Sequence, residues 1–174
     1  MTATGTADFE PSRMRWSPLL ASDIDAVGQI AKQTHIELPE RIEVLAEILN
    51  LFPSGCCKLM IDGSIVGYGI SHPWKLYDIP VHDEFLVELP SGPNCIHIHD
   101  VSILPLARGH SAAGSYIALV KDEAQRRRIA SLACVSVYGT DVLWQRYGFR
   151  NVTTPEMSEK LHSYGPSGKY MIAM

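Results

Sequence analysis

Apolar residues recur along this 174-residue chain at two periods, and the switches between them mark its elements. Ile24, Val27, Ile30 and Ala31 are spaced by three and four, which predicts a helix to about residue 34 with Ser22-Asp23 as its N-cap. Pro39 suits the first turn of a second helix over 40–51. Its stripe is Ile42, Leu45, Ala46 and Leu49, and Pro53-Ser54-Gly55 ends it. A short strand over 13–18 precedes both. The apolar run 56–61, the turn Asp62-Gly63 and the return 64–71 predict a hairpin. A strand over 95–104 is followed by a helix over 112–127, with Ala113, Tyr116, Ile117, Val120 and Ala124 on one face. Residues 131–138 are apolar along most of their length, as a central strand is. A short helix over 140–147 leads to Gly148-Phe149, and 169–174 is expected as a last, edge strand. The order β-α-α-β-β-β-α-β-α-β implies an α/β arrangement around a mixed sheet.

Between these elements, 72–93 loses all periodicity. It carries Pro73, Pro80, Pro90 and Pro93, the aromatics Trp74, Tyr77 and Phe85, and the acids Asp78, Asp83, Glu84 and Glu88 against the lone Lys75. A segment so long and irregular is more often functional than idle. Aromatics mixed with acids suit a cationic amine with an apolar body.

Composition narrows the class. Hydrophobic residues at 46% and charged residues at 20% describe a globular chain, read as one domain over 13–174 behind a loose tail over 1–12. A net charge of −4 leaves no dominant basic face for nucleic acid, and Arg126-Arg127-Arg128 falls where a helix C-terminus favours cations. No apolar run approaches the ~20 residues that cross a bilayer, and the N-terminus lacks the regions of a signal peptide. Cys56, Cys57, Cys95 and Cys134 form no CxxC and no metal spacing. They read as buried thiols, and the expected location is cytoplasmic.

The chemistry concentrates in Ile96-His97-Ile98-His99-Asp100-Val101-Ser102-Ile103 and the small residues that follow. Side chains at i and i+2 of a strand share a face, so His97 and His99 point the same way, and imidazole moves protons near neutral pH. The loop Arg108-Gly109-His110-Ser111-Ala112-Ala113-Gly114 is small enough for backbone amides to close on a phosphate at a helix N-terminus. Ser111 can alternatively cap that helix with its hydroxyl, and Arg108 can add charge. Core histidines, or a strand-to-helix turn built for packing, are the plain alternatives. A zinc site would draw further ligands from His72, His82, Asp83, Asp100 or His110, and no spacing selects any of them.

From His97 to Phe149 the chain resembles the GNAT superfamily of acyl-CoA-dependent N-acetyltransferases, and most closely the arylalkylamine N-acetyltransferases. That family carries a His-x-His strand, a short spacer and Arg/Gln-x-x-Gly-x-Gly/Ala. Here the histidines are His97 and His99, the arginine is Arg108, and Ser111 and Ala113 stand at the two glycine positions. Trp144-Gln145-Arg146-Tyr147-Gly148-Phe149 is similar to the family's Tyr-Gln-Arg-Phe-Gly-Phe.

The resemblance implies a mixed central sheet flanked by helices and acetyl-CoA as co-substrate. The pyrophosphate would lie against Arg108, Gly109, His110, Ser111, Ala112, Ala113 and Gly114, and the pantetheine arm along Val101, Ser102 and Ile103. Trp144 and Arg146 would lie on the cofactor side. His97 and His99 would deprotonate a small cationic or aromatic primary amine, directly or through water. Trp144 stands where the family's proton-donating tyrosine belongs, and an indole N–H is not a usable acid. Tyr116, Tyr138 and Tyr147 are the remaining phenols, and Tyr147 is the candidate. Trp74, Tyr77 and Phe85 would line the acceptor pocket. No metal and no membrane is implied, and a homodimer is a family-level expectation. The competing functions are a non-catalytic acyl-CoA-binding module and a zinc-dependent hydrolase using the histidine pair.

Overall fold

The computed structural model describes residues 13–174; the expected tail over 1–12 lies outside them. In chain order the elements are β1 (Arg15–Pro18), α1 (Ile24–Thr34), α2 (Ile42–Leu51), β2 (Cys57–Ile61), β3 (Ser64–Trp74) and β4 (Cys95–Ile103). They continue with α3 (Ala112–Arg126), β5 (Ser131–Ser136), α4 (Asp141–Arg146), β6 (Arg150–Asn151), α5 (Ser158–Leu161) and β7 (Lys169–Ala173). The strands form one seven-stranded sheet in the order β1-β2-β3-β4-β5-β7-β6. Among the described residues only β4 and β5 run parallel, joined by the crossover through α3.

The apolar stripes read from the sequence choose the two faces. Tyr116, Ile117, Val120 and Ala124 of α3 pack with Ile96, Ile98 and Cys134 on one face. Val27 and Ile30 of α1 and Leu45 and Ile48 of α2 pack with Tyr68 and Ile70 on the other. Each such side chain contributes roughly 1.5–3 kcal/mol through burial.

Several boundaries differ from expectation, each for a visible reason. Helix α2 begins at Ile42 rather than at residue 40, because the Arg41 amide donates to the Asp83 carboxylate at 2.8 Å and Glu40 turns away to His99. Asp23 stands at the N-cap position of α1 as expected but makes no side-chain cap bond there; its carboxylate accepts from the Leu20 amide at 2.8 Å, before the 3₁₀ turn Ala21–Asp23, and from Lys58 Nζ at 2.7 Å. Strand β3 runs on through His72 and Pro73 to Trp74. The last strand, β7, is interior, because the two-residue β6 pairs to its outer side and takes the edge.

Two features of β4 create the space for a site. It pairs with β5 only from Cys95↔Ser131 to Ile98↔Cys134, and beyond that the parallel strands part. Against β3 the register slips between Ile70↔Asp100 and Ser71↔Ile98, so His99 is an extra, bulged residue. Ile96, Ile98 and Val101 stay on the α3 face. His97, His99, Asp100 and Ser102 all reach the opposite side, where their partners His72, Glu40, His35 and Tyr68 lie.

Candidate active site

A cavity of about 750 Å³ occupies the fork between β4 and β5. Its β4 wall is Ile98 to Ile103, its β5 side is Val135, Val137 and Tyr138, and α4 adds Leu143, Trp144 and Arg146. Tyr147, just past α4, also lines it. At one end the cavity meets Arg108, Gly109 and Ser111 to Ala113 at the start of α3; at the other it meets Thr34, His35, Leu38, Glu40, His82 and Tyr164.

The α3 end is an uncapped helix N-terminus. Ser111 occupies the N-cap position in the left-handed region at φ +57°, and its hydroxyl makes no cap bond. The expected hydroxyl cap is therefore absent, and the first amides of this 15-residue helix keep their donors free of a side-chain acceptor. Gly109 is left-handed as well, at φ +81°, with nothing within 4 Å of where a Cβ would stand. Arg108 Nε donates to the Ile103 carbonyl at 2.9 Å, which ties the loop back to β4. Gly114 and His110 do not line the cavity. A Cβ on Gly114 would come within 2.7 Å of the Tyr147 ring, so that glycine serves the approach of α3 to Tyr147.

The opposite end holds two histidine–carboxylate pairs. His99 Nε2 meets Glu40 Oε1 at 2.8 Å, with both side chains almost fully buried. His35, just past the C-terminus of α1, places Nε2 at 2.9 and 3.1 Å from the two Asp100 oxygens and at 2.7 Å from Ser102 Oγ. Tyr68 donates to Asp100 at 2.5 Å, and Thr34 donates to Ser102 at 3.2 Å. His82 approaches Glu40 from above, its Nδ1 at 3.9 Å.

Burial opposes charge on both histidines, but the carboxylates outweigh it. Asp100, with Glu40 behind it, holds the His35 pKa above the ordinary imidazole value, and Glu40, then Asp100, does so for His99. Burial also opposes charge on Asp100, and His35 together with the Tyr68 hydrogen bond keeps its carboxyl below the usual range.

The expected site is thus partly relocated. His99 lines the cavity; His97 does not. His97 is sealed in the paired half of β4 with its ring 5.5 Å from that of His72. Burial, then His72 and His99, pushes its pKa well down, so it stays neutral. Trp74, Tyr77 and Phe85 do not line the cavity either. Trp74 donates its indole N–H to the Asp78 carbonyl at 2.6 Å, Tyr77 faces solvent, and Phe85 lies under the Arg41 guanidinium at 5.2 Å. From 72–93 only His82 reaches the cavity. Trp144 packs edge-on against Phe149 at 5.1 Å and keeps a face on the cavity. His35 and Glu40 are new, and Asp100, weighed in the sequence only as a zinc ligand, is instead the partner of His35. Helix periodicity places residue 35 only at an element's end, and strict alternation would have sent Asp100 to the wrong face. Among the described residues no three His, Cys, Asp or Glu side chains are arranged to hold a metal ion, and no helix is long and apolar enough to cross a membrane.

Comparison with solved structures assigns the architecture. The loading GNATL domain of CurA from Lyngbya majuscula matches 92% of this chain and 96% of its own, with a TM-score of 0.76 at 12% identity. The GNAT-like decarboxylase GphF, solved with isobutyryl-CoA, matches 91% of this chain and 98% of its own, with a TM-score of 0.74 at 17% identity. The chain has the GNAT fold. Arabidopsis thaliana Naa50, solved with a bisubstrate analogue CoA-Ac-MVNAL, matches this GNAT fold at a TM-score of 0.67 and 10% identity, over 92% of this chain and 97% of its own. No protein-family model matches the sequence, and no curated protein matches it.

Proposed function

We propose that this protein is an acetyl-CoA-dependent N-acetyltransferase acting on the primary amine of a small cationic acceptor. The observation that carries the reading is a single cavity with opposite chemistry at its two ends: free helix amides and Arg108 at one, two buried histidine–carboxylate pairs at the other.

The first end fits the anionic half of acetyl-CoA. Gly109, Ala112 and Ala113 leave the α3 amides approachable, and Arg108 and Arg146 add positive charge. Beyond Ile98, β4 has no β5 partner, so Val101 to Ile103 can pair with an extended amide-bearing arm as a strand would. Acetyl-CoA supplies the acyl group as a thioester. The neighbours GphF, Naa50 and the Thermoplasma acidophilum PaiA N-acetyltransferase were each solved with coenzyme A, a CoA thioester or a CoA conjugate.

The second end suits an amine that arrives as an ammonium ion. Glu40 and Asp100 attract the cation, and a histidine beside them accepts its proton before attack. Trp144 lines the cavity and offers no acidic proton. Tyr147 lines the cavity beside it and is the proposed proton donor to the departing sulfur, with water as the alternative.

Calorimetry with acetyl-CoA and free-thiol release across a panel of alkyl-, arylalkyl- and polyamines, with amino acids as the acidic counterpart, test this. Binding plus thiol release with cationic amines is the expected result. Binding without release from any amine would instead favour an acyl-CoA-binding module.

A further inference from the structure

We propose that His35, and neither histidine of the His-x-His strand, is the side chain that takes the proton from the acceptor amine. The proposal rests on the acetyltransferase reading and assigns a role within it. A direct base needs one nitrogen held so that the other presents a lone pair where substrate sits. His35 meets both conditions and the strand histidines do not; His82 also lines the cavity with Nε2 on the Pro39 carbonyl at 3.0 Å, but its Nδ1 is turned to Glu40 at 3.9 Å. The Nε2 of His35 is held by the two Asp100 oxygens at 2.9 and 3.1 Å, which fixes the proton there. No hydrogen bond among the described residues reaches its Nδ1, and that atom is not among the sealed ones. The ring lines the cavity.

The strand histidines fail in different ways. His99 also has a carboxylate on Nε2, but its Nδ1 is buried from solvent without a partner, and its ring lies 5.8 Å from that of His72. Its side chain is 4% exposed against 18% for His35. His97 does not line the cavity. His99 is then a positioning residue: it anchors Glu40, whose charge, with that of Asp100, favours the protonated form of His35.

The support around His35 comes from several elements. Asp100 and His99 approach from β4, Tyr68 from β3 through Asp100, Glu40 from the segment before α2, and the Tyr138 ring stacks at 6.0 Å. Thr34 and Ser102 complete the shell on the Nε2 side.

In the step, an acceptor R–NH₃⁺ gives one proton to His35 Nδ1. Its freed lone pair forms the carbon–nitrogen bond to the acyl carbon. The carbon–sulfur bond then breaks with its electron pair on sulfur, and the second N–H proton balances the thiol. His35 returns its proton to solvent.

The test uses the full chain. His35→Ala should lower kcat/KM by roughly 100-fold or more, within the range of a positioned base. Acetyl-CoA affinity should hold, and added imidazole should restore part of the rate. Asp100→Asn should move the acid limb of the pH–rate profile to lower pH. By NMR, without any substrate, it should move the His35 imidazole titration the same way. His35→Gln keeps a polar side chain of similar reach and covers the case in which the alanine variant does not fold. Wild-type turnover together with an unaffected His35 variant, or an Asp100→Asn profile that does not move, overturns the His35 assignment alone. A wild-type protein that releases no thiol with any amine overturns the acetyltransferase reading and this one with it.

Discussion

Strand β4 is two half-strands with opposite environments. From Cys95 to Ile98 it is hydrogen-bonded on both sides, and its histidine is packed against another histidine and held neutral. From His99 to Ile103 it has only β3, and its histidine is packed against a carboxylate and held protonated to higher pH than a free imidazole. The side chains are identical and two residues apart. Their chemistry is set by whether the neighbouring strand is present and by what the gap admits. Once β5 departs, the bulge brings Asp100 to the same face as His99, and the loops that end α1 and precede α2 supply His35 and Glu40. On the proposed reading, proton chemistry belongs to the open half alone.

The open half can be broken most severely at its far end. Ala113→Glu places an anion against the α3 amides and fills the space the alanine leaves. Like charges forced together cost several kcal/mol, so acetyl-CoA affinity should fall by at least about 100-fold. Calorimetry on a variant with an unchanged melting temperature checks it, and unchanged affinity would remove the cofactor end of the cavity.

Glu40→Gln tests the other end more mildly. It deletes the charge that raises His99 while keeping a hydrogen-bonding side chain, and kcat/KM should drop by less than the roughly 100-fold expected of a lost base. Stability has a definite sign. A histidine raised in the folded state adds stability below its unfolded pKa and loses it as pH rises through the folded value. The wild type should therefore melt above Glu40→Gln at pH 6, and the gap should narrow in alkali.

Trp144→Tyr acts on the α4 side of the cavity. Tyrosine is smaller than tryptophan, and its loss of contact with Phe149 and the cavity should raise KM for the amine by roughly three- to tenfold, the scale of an imperfect apolar swap. No gain in kcat is expected, because Tyr147 already lines the cavity. Steady-state kinetics on Trp144→Tyr beside Tyr147→Phe separates the roles. A large rate gain in the first, with no loss in the second, would show that a phenol at 144 is the missing acid.

What was legible in the sequence follows the same division. The stripes of α1, α2 and α3 are set by local periodicity and read correctly, as did the hairpin and the small-residue loop before α3. The closed half of β4 was legible too, because alternation holds there. The bulge at His99 was not, since one inserted residue leaves no mark on composition. With it went Asp100, and with the long-range contacts Arg41–Asp83 and Glu40–His99 went the start of α2. Trp74, Tyr77 and Phe85 had the right chemistry for an acceptor pocket, but tertiary partners turn them elsewhere: the Asp78 carbonyl, solvent and Arg41.

The smallest effect on rate should come from His97, and it sharpens the contrast most. A relay role for both strand histidines predicts a large loss when either is removed; the closed half-strand predicts almost none. His97→Leu conserves volume approximately and replaces a buried neutral imidazole, so kcat/KM should stay within about threefold of wild type. Its signature should appear in stability against pH. Burial lowers the folded-state pKa of His97, and takes that of His72 down to about 3. Such groups contribute stability above the unfolded imidazole pKa and lose it as pH falls toward the folded value, because the unfolded chain takes up protons that the folded chain refuses. The wild-type melting temperature should fall as pH drops from 6.5 toward 4, and His97→Leu should fall less steeply over that window. Melting curves at half-unit pH steps, paired with kinetics on the same preparation, make the measurement. A variant that loses rate by 10-fold or more while its acid slope stays unchanged would return His97 to the proton path and erase the distinction between the two halves of β4.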